Sequence, residues 1–568
     1  MRSKAKAEYS ATQGLRKWPK VCWYLAESAV FMPWAKSAKR GGTANIIIRP
    51  RQKVISVIFC RGLFYFPLCK RSANAETEEI MNISPDIEKV KSLAAEYKTV
   101  PLSAKIKCGI SPLEVLQKLK AISSHCYMLE SCEDREKWGR FTFLGFDPKT
   151  EITCKNGCVQ ITDEFGVRRF NSDPRPYVQQ ILEAHRSPRL DDLPTFTGGL
   201  VGYFGYDYAK YAEPKLKLDA CDDAHFKDMD LMLFDKVIAF DNLNGCVFLI
   251  CNMQTENIEK SYSAAVSQIK IMHDVIENGK PAEIERPVLK SEFKPLFSEK
   301  EYCKMVEKTK SYIKEGDIFQ AVISNRLEAE MAGSLFETYK VLRRLNPSPY
   351  MFYFSSNDIE IAGASPETLV KLENGTLYTY PLAGTRPRGT NPQEDALLEA
   401  ELLADEKELA EHNMLVDLGR NDLGKISCFG SVQVEKYHSV LKFSHVMHIG
   451  STVSGKIRAD KTALDAIDAV LPAGTLSGAP KIRAMEIINE LENNRRGIYG
   501  GAIGYIDFTG NADTCIAIRI AYKKGGRVYV RSGAGIVADS VGEKENRECI
   551  NKAGAVVSAL RISGGCAE

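Results

Sequence analysis

The sequence lacks several features that identify common protein classes. Its 16 cysteines include no CxxC pair and follow no regular spacing, which argues against a zinc site or a disulfide framework and fits a reducing compartment. There is no GxxxxGK[ST] phosphate loop, no strand–GxGxxG–helix fingerprint and no GxSxG nucleophile elbow, so nucleotide cofactors and an elbow serine are not supported. The cysteines are therefore interpreted as small buried hydrophobic residues.

A long hydrophobic run is also missing. The stretch VISVIFCRGLFYFPL is interrupted by Arg61, and at about 15 residues it is shorter than a membrane-spanning helix requires. It lies too far from the start for a signal peptide, and its segment has too little serine for a typical transit peptide. We interpret residues 1–80 as an extension without a fold and Met81 as the working start. This predicts a cytoplasmic protein, with a plastid as the alternative if residues 1–80 are a transit peptide.

The charge is unevenly distributed. Residues 1–80 contain 15 Lys and Arg against 5 Glu, a net charge of +10, whereas the whole chain has only +3. The remainder therefore has a net charge of −7. We predict neither a nucleic-acid partner nor a membrane partner.

The rest of the chain reads as a globular α+β protein. Residues 96–253 are rich in strand-like runs separated by Asn/Gly turns, which predicts antiparallel sheet. Residues 254–297 read as a helix, periodic from about 255 to 276, followed by a polar linker. In residues 298–562 long helices alternate irregularly with strands, which favours a mixed architecture over a doubly wound sheet.

Two pairs of carboxylates are candidates for a metal site. Glu408 and Glu411 share one face of a predicted helix, and Glu545 and Glu548 repeat the arrangement near the C-terminus. Four carboxylates meeting in one cleft would repel each other unless a divalent cation lay between them, and oxygen-only ligands suit Mg²⁺. About nine such pairs are expected by chance in this composition, so two solvated helix faces remain the alternative.

Glycine-rich turns and histidines add candidates that the residues alone do not decide. Residues 381–389, 471–488 and 531–540 combine glycines with Arg or Lys, a pattern that suits a carboxylate ligand but also occurs in simple turns. His412, His445 and His448 all lie between residues 405 and 450, and a histidine in such a run more often makes a structural hydrogen bond than acts as a base.

A set of motifs in fixed order resembles the chorismate-utilising enzymes and, more narrowly, anthranilate synthase component I. The motifs are GDIFQAVIS, NPSPYMFYF, GASPETLV, PLAGTRPRG, DEKELAEHNMLVDLGRNDLG, SHVMHIGSTVSG, LPAGTLSGAPKIRAMEII, YGGAIGYI, CIAIR and GAGIVADS. The resemblance as a whole covers about residues 100 to 560. The resemblance implies a large mixed or antiparallel β-sheet sandwich core with surrounding helices, containing a regulatory segment at 96–253 and a chorismate-binding segment at 298–562.

The resemblance also implies roles for individual residues. Glu367 would be the general acid that protonates the departing ring hydroxyl, and His448 would serve the later loss of pyruvate, together with Gln320 and Thr385 in the catalytic set. Magnesium would be held by Glu408, Glu411, Glu545 and Glu548. Chorismate would be held by Gly384, Thr385, Tyr505, Arg519, Gly533, Gly535 and Lys552, with Arg519 and Lys552 suited by charge to its two carboxylates.

Two positions separate the related activities. Isochorismate and salicylate synthases carry a lysine base where this chain has Gln320, which cannot deprotonate water. Aminodeoxychorismate synthases usually carry a nucleophilic lysine where this chain has Ala383. Both differences favour direct addition of ammonia and anthranilate as product. Aminodeoxychorismate synthase component I and a non-catalytic tryptophan-binding homologue remain the alternatives.

Two partners follow from the same resemblance. The chain has no recognisable amidotransferase nucleophile, so a separate glutamine amidotransferase subunit is expected to supply ammonia. Tryptophan is expected to inhibit the enzyme at a second site, with Glu130 binding its ammonium group. That site would contain Glu130, Ser131, Asn346, Pro347, Met351, Phe352 and Cys515; core packing is the alternative for these residues.

Overall fold

The computed structural model describes residues 44–47, 54–57, 81–132, 139–442 and 446–564. The chain divides into Met1–Glu79 and Ile80–Glu568. In the first part, β1 (Ala44–Ile47) pairs antiparallel with β2 (Val54–Val57). The rest of residues 1–80 lies outside the described residues, so the prediction of an extension without a fold stays a prediction.

Residues from Ile80 onward form two large antiparallel sheets, with elements numbered in chain order. Sheet I has 14 strands within the described residues. Its order is β14 (Val288–Leu289), β16 (Gln320–Ala332), β28 (Arg527–Ile536), β27 (Ile520–Lys524), β18 (Glu360–Ser365), β17 (Tyr350–Ser355), β5 (Cys126–Glu130), β6 (Phe141–Phe146), β12 (Lys236–Asp241), β13 (Cys246–Gln254), β4 (Thr99–Ile106) and β3 (Ile83–Ser84), with β15 (Lys294–Pro295) and β24 (Gly478–Ala479) also paired to β16.

Sheet II has 12 strands within the same described ranges. Its order is β21 (Leu382–Pro387), β23 (Val446–Lys456), β20 (Thr376–Thr379), β19 (Thr368–Glu373), β26 (Ala512–Ile516), β25 (Ala502–Asp507), β10 (Gly199–Phe204), β11 (Met229–Phe234), β7 (Thr150–Lys155), β8 (Cys158–Asp163) and β9 (Gly166–Asn171), with β22 (Gln433–Lys442) paired to β23.

Twelve α-helices surround the sheets in the described part of the chain. They are α1 (Ile87–Leu93), α2 (Pro112–Lys120), α3 (Arg175–Ala184), α4 (Ala209–Ala212), α5 (Ile258–Asn278), α6 (Glu299–Glu315), α7 (Phe336–Leu345), α8 (Pro392–Ala404), α9 (Glu406–Gly424), α10 (Ala463–Val470), α11 (Lys481–Glu492) and α12 (Gly542–Ser563). Among the described residues, none of them combines the length and the apolar character that crossing a bilayer requires.

The two sheets pack face to face, which confirms the predicted sandwich. Tyr127 and Phe352 of sheet I share one buried cluster with Tyr203 and Ile503 of sheet II. Strand alternation sends neighbouring side chains to opposite faces, so Met351 instead packs into the cluster between sheet I and its helices. The core therefore has an aromatic layer between the sheets and apolar layers under the helices.

The predicted division into segments 96–253 and 298–562 does not correspond to separate sheets. In sheet II, Val201 of the first segment pairs with Tyr505 of the second, and in sheet I, Glu130 pairs with Met351. The predicted linker also contributes strands, because β14 and β15 pair with β16. Both segments are thus interleaved in one hydrogen-bonded framework.

Candidate active site

Strands β21 and β23 place a glycine turn beside a histidine. Thr385 lies opposite His448 in the strand pairing. The His448 Nδ1 atom lies 2.9 Å from the Gly384 carbonyl oxygen and 3.1 Å from the Thr385 hydroxyl. Because a carbonyl only accepts, Nδ1 carries a proton in this arrangement. Burial lowers the pKa of His448, which favours the neutral ring.

Gly384 is required at this turn for two reasons. Its φ of +67° lies in the left-handed region that favours glycine. A side-chain carbon at this position would also lie only 3.0 Å from Leu402 Cδ1 and 3.3 Å from Glu408 Oε2. The glycine backbone thus approaches a carboxylate of α9 more closely than a larger residue would allow.

Glu367 is a half-buried acid between β18 and β19. Its Oε1 atom accepts a hydrogen bond of 3.0 Å from the Thr475 hydroxyl. Burial raises the pKa of Glu367 to about 7, although Thr475 and the charges of Lys552 and Arg519 oppose this. A carboxyl group with such a pKa holds a proton near neutral pH and can donate it.

Arg519 follows β26, and its charge acts on Glu367. Its φ of +51° is uncommon for a residue with a side chain. Burial lowers the pKa of Arg519, whereas the charge of Glu367 raises it. Its Nη1 atom donates to Asn346 Oδ1 at 3.3 Å, so a predicted substrate residue contacts a predicted inhibitor residue.

A second glycine-lined surface lies on β28. A side-chain carbon at Gly535 would lie 2.5 Å from Gln320 Nε2, and one at Gly533 would lie 3.1 Å from the Tyr499 hydroxyl. Lys552 Nζ on α12 donates to the Gly533 carbonyl at 3.2 Å. Gln320, Gly533, Gly535 and Lys552 are thus brought together, as the resemblance implied.

Tyr505 is not brought to this surface. Its ring packs on Phe196, with a centroid distance of 4.3 Å, inside the layer between the sheets. The tyrosine that lies beside Gly533 is Tyr499, which our sequence analysis did not select. Its position directly before Gly500 and Gly501 was the available signal, because paired glycines permit close approach of a ligand.

A buried cluster of Glu492, Arg496 and Arg531 contacts β16 and β28. Glu492 accepts hydrogen bonds from Arg496 at 3.0 Å and from Arg531 at 2.7 Å. It also accepts from the Ser324 backbone N–H at 2.8 Å, and Ser324 lies opposite Gly533 in the strand pairing. The cluster is paired and hydrogen-bonded, as a buried charge requires, and it fixes β16 against β28.

The four predicted metal ligands lie on α9 and α12. Reduced hydration raises the pKa of Glu411, and the charges of Glu408 and, more weakly, Glu548 raise it further. Reduced hydration and the charge of Glu548 likewise raise the pKa of Glu545. Both helices therefore direct carboxylates into a common electrostatic environment.

Cations balance these acids. Lys552 Nζ lies 2.7 Å from Glu548 Oε1, and Arg386 Nη1 lies 3.6 Å from Glu408 Oε1. The oxygen-only donors and their mutual repulsion fit a hard divalent cation. In the described ranges no three His, Cys, Asp or Glu side chains approach one another closely enough to hold an ion. The Mg²⁺ site stays a prediction.

Other side chains of the protein already hydrogen-bond to Glu130, the carboxylate of the predicted inhibitor site. Glu130 is buried and accepts two hydrogen bonds from Arg343, at 2.6 and 2.9 Å. The Tyr339 hydroxyl donates a third, at 2.6 Å. These three hydrogen bonds use most of the acceptor capacity of the carboxylate, which is about four. The carboxylate is not the open anchor that we expected from the sequence.

The other predicted inhibitor residues are distributed over both faces of sheet I. Phe352 and Cys515 lie in the layer between the sheets, whereas Met351 faces the helices. Ser131 follows β5, and Asn346 and exposed Pro347 follow α7. Met351 and Phe352 thus face opposite sides of β17, and Glu130 lies opposite Met351 in the strand pairing. The inhibitor site stays a prediction.

Of the histidines, His412 is buried and its Nε2 contacts the Ser451 hydroxyl at 2.6 Å, whereas His445 lies outside the described residues.

Comparison with known proteins decides the family. The profile of chorismate-binding enzymes matches residues 124–558. The chain belongs to the chorismate-binding enzyme family. Curated members of this family resemble it over most of its length: anthranilate synthase component 1 from Acetivibrio thermocellus is 43% identical, with 84% of this chain and 99% of the relative covered. The protein of the same name from Aquifex aeolicus is 41% identical, with 85% and 99% covered.

Solved structures agree with this assignment. Anthranilate synthase component I from Streptococcus pneumoniae matches with a TM-score of 0.67 at 39% identity, covering 73% of this chain and 92% of that one. The menaquinone-specific isochorismate synthase from Escherichia coli matches with a TM-score of 0.62 at 18% identity, covering 84% and 98%, which supports the fold alone. The expected relationship to anthranilate synthase component I and the expected fold are confirmed.

Proposed function

We propose that this chorismate-binding enzyme is the large component of an anthranilate synthase. It would convert chorismate and ammonia to anthranilate, water and pyruvate, as one step of tryptophan biosynthesis in the cytoplasm. The observation that carries the proposal is Glu367, a half-buried acid hydrogen-bonded by Thr475, whose pKa is raised by burial to about 7 beside the charges of Arg519 and Lys552. Glu367 can donate a proton while Arg519 and Lys552 bind the carboxylates of a substrate.

The residues suggest an order of events. Arg519 and Lys552 would hold the two carboxylates of chorismate against the glycine backbone of Gly533. Glu367 would give its proton to the ring hydroxyl as that group leaves, while ammonia adds to the ring. His448, held by the Gly384 carbonyl, would then assist removal of the ring proton as pyruvate departs. Mg²⁺, when bound by the α9 and α12 carboxylates, would supply positive charge for a substrate carboxylate.

The nucleophile is proposed to be ammonia because positions 320 and 383 lack the lysines that serve related reactions. Gln320 is buried beside Gly535, and its amide cannot deprotonate water. Ala383 is buried on β21 and cannot attack the ring. A glutamine amidotransferase component would deliver ammonia. Tryptophan would inhibit at the set around Glu130 by competing with Arg343.

The first test is an assay with chorismate, ammonium and Mg²⁺. We expect a product with the fluorescence of anthranilate, and we expect tryptophan to suppress its formation. A product that becomes aromatic only after an added lyase would instead identify an aminodeoxychorismate synthase. Absence of any turnover with a folded protein would favour a non-catalytic tryptophan-binding homologue.

The metal assignment predicts that Glu411→Gln loses turnover while the fold persists. Removing one charge from the set weakens its attraction for a divalent cation, so isothermal titration should show weaker Mg²⁺ binding. Glu406→Gln is the matched control, since Glu406 lies in the first turn of the same helix but is not one of the four predicted ligands. Unchanged Mg²⁺ affinity in Glu411→Gln would contradict the assignment.

A further inference from the structure

A 3₁₀ turn at Gly474–Leu476 supplies the hydrogen bond that reaches the proposed general acid. The Thr475 hydroxyl donates to Glu367 Oε1 at 3.0 Å. The two side chains lie 108 positions apart in sequence, so the contact depends on the tertiary fold. Both line a small cavity between α9 and the strands β19 and β20.

Buried contacts fix the turn in place. Arg496 Nη1 donates to the Leu476 carbonyl at 2.6 Å, and Arg496 Nη2 donates to the Val322 carbonyl at 2.6 Å. The Ser477 hydroxyl closes the turn by donating to the Ala473 carbonyl at 2.8 Å. Arg496 is itself held by Glu492. The cluster of Glu492, Arg496 and Arg531 therefore fixes the backbone that carries Thr475.

The turn also packs tightly against α9. A side-chain carbon at Gly474 would lie 1.8 Å from Leu418 Cδ2. A larger residue at this position would force the Leu418 side chain to move or the turn to shift away from the helix. The position of the Thr475 hydroxyl is thus determined from both sides.

We infer that Thr475 is a positioning residue that selects which oxygen of Glu367 carries the transferable proton. Since the hydroxyl donates to Oε1, that oxygen acts as the acceptor and the proton resides on Oε2. In the step, ammonia forms a bond to the ring and the ring double bonds shift as the carbon–oxygen bond breaks, and the Oε2–H proton moves to the departing oxygen, which leaves as water. The resulting Glu367 carboxylate retains the Thr475 hydrogen bond, which strengthens as the negative charge forms. This inference rests on the proposed function.

The test compares Thr475→Ala with Thr475→Ser. Both variants lose the methyl group, but only serine keeps the hydroxyl. A hydrogen bond to a charged group contributes about 1.5–3 kcal/mol, so we expect kcat of the alanine variant to fall about 10- to 100-fold. The serine variant should retain most of the wild-type kcat. KM should change little in either, because the described partner of the hydroxyl is Glu367 and neither Arg519 nor Lys552, the proposed carboxylate-binding groups.

The pH profile separates positioning from a structural role. Glu367 must be protonated to act, so kcat falls as the pH rises through its pKa. The Thr475 hydroxyl stabilises the ionised form and lowers that pKa. In Thr475→Ala the alkaline limb of the kcat profile should therefore move to higher pH, and Thr475→Ser should restore it.

Thr379→Val is the matched control, because Thr379 lines the same cavity but its hydroxyl contacts a backbone carbonyl, that of Leu369. Its kcat and pH profile should equal those of the wild type. Thermal melting checks that all variants are folded. An alanine variant that melts normally and keeps the wild-type kcat and alkaline limb overturns the inference, as does an equal loss in the serine variant. Failure of the proposed function is distinct, since the wild type itself would then make no anthranilate.

Discussion

Replacing Glu367 by glutamine should lower kcat for anthranilate formation by about 10²- to 10⁴-fold, the usual contribution of a positioned general acid. Glutamine has a similar volume and can still accept the Thr475 hydrogen bond, but it has no transferable proton. Substrate affinity should change little, since Arg519 and Lys552 remain. The measurement is steady-state kinetics with chorismate, ammonium and Mg²⁺ at pH 7. A Glu367→Gln variant with more than a tenth of the wild-type kcat would exclude the role.

The pKa of Glu367 also predicts how kcat depends on pH. Because burial raises it to about 7, wild-type kcat should decline as the pH rises through about 7, where the acid loses its proton. The residual activity of Glu367→Gln should lack this decline. Glu373→Gln is the control, because Glu373 ends the following strand and pairs with Lys371; its profile should match the wild type.

Replacing Glu492 by glutamine should lower the free energy of unfolding by about 3–5 kcal/mol, which is the cost of breaking a buried charge pair. Glu492 has only 2% of its surface exposed and accepts from both Arg496 and Arg531. Glutamine keeps the shape but leaves two buried guanidinium groups without a counter-charge. Urea unfolding monitored by circular dichroism would measure the change.

A neighbouring glutamate provides the control for this prediction. Glu490 lies on the same helix but is exposed and accepts only from the Tyr312 hydroxyl among its described contacts. Glu490→Gln should change the free energy of unfolding by less than about 1 kcal/mol. Equal losses in the two variants would mean that the buried cluster contributes no special stability.

Local signals predicted the individual strands well. The Asn156–Gly157 turn has positive φ at both residues, which matches the twist of a hairpin, and β7 pairs with β8 across it as expected. The helix expected at about 255–276 corresponds to α5. These elements follow from neighbouring residues alone. The choice of distant partners, such as β10 with β25, has no such local signature and could not be derived.

The sequence likewise predicted only part of the candidate site. The family motifs placed Glu367, Arg519 and Lys552 in one predicted site, and in the structure the charges of Arg519 and Lys552 both act on Glu367. Tyr499 and Tyr505 both flank glycines in one short motif, and only the strand register decides that Tyr499 lies at Gly533. Glu130 looked like a free anchor because Arg343, 213 positions away, gives no sequence sign of binding it.

The interleaving of both segments in both sheets constrains how the protein is made. Chain synthesis produces β10 long before β25, and β5 long before β17, yet each needs its later neighbour. An emerging N-terminal half therefore exposes unpaired strand edges, which favour aggregation. Pairings so distant in sequence also slow folding. Expression of residues 81–253 alone should yield insoluble material, and separately produced halves should regain a soluble form only when refolded together.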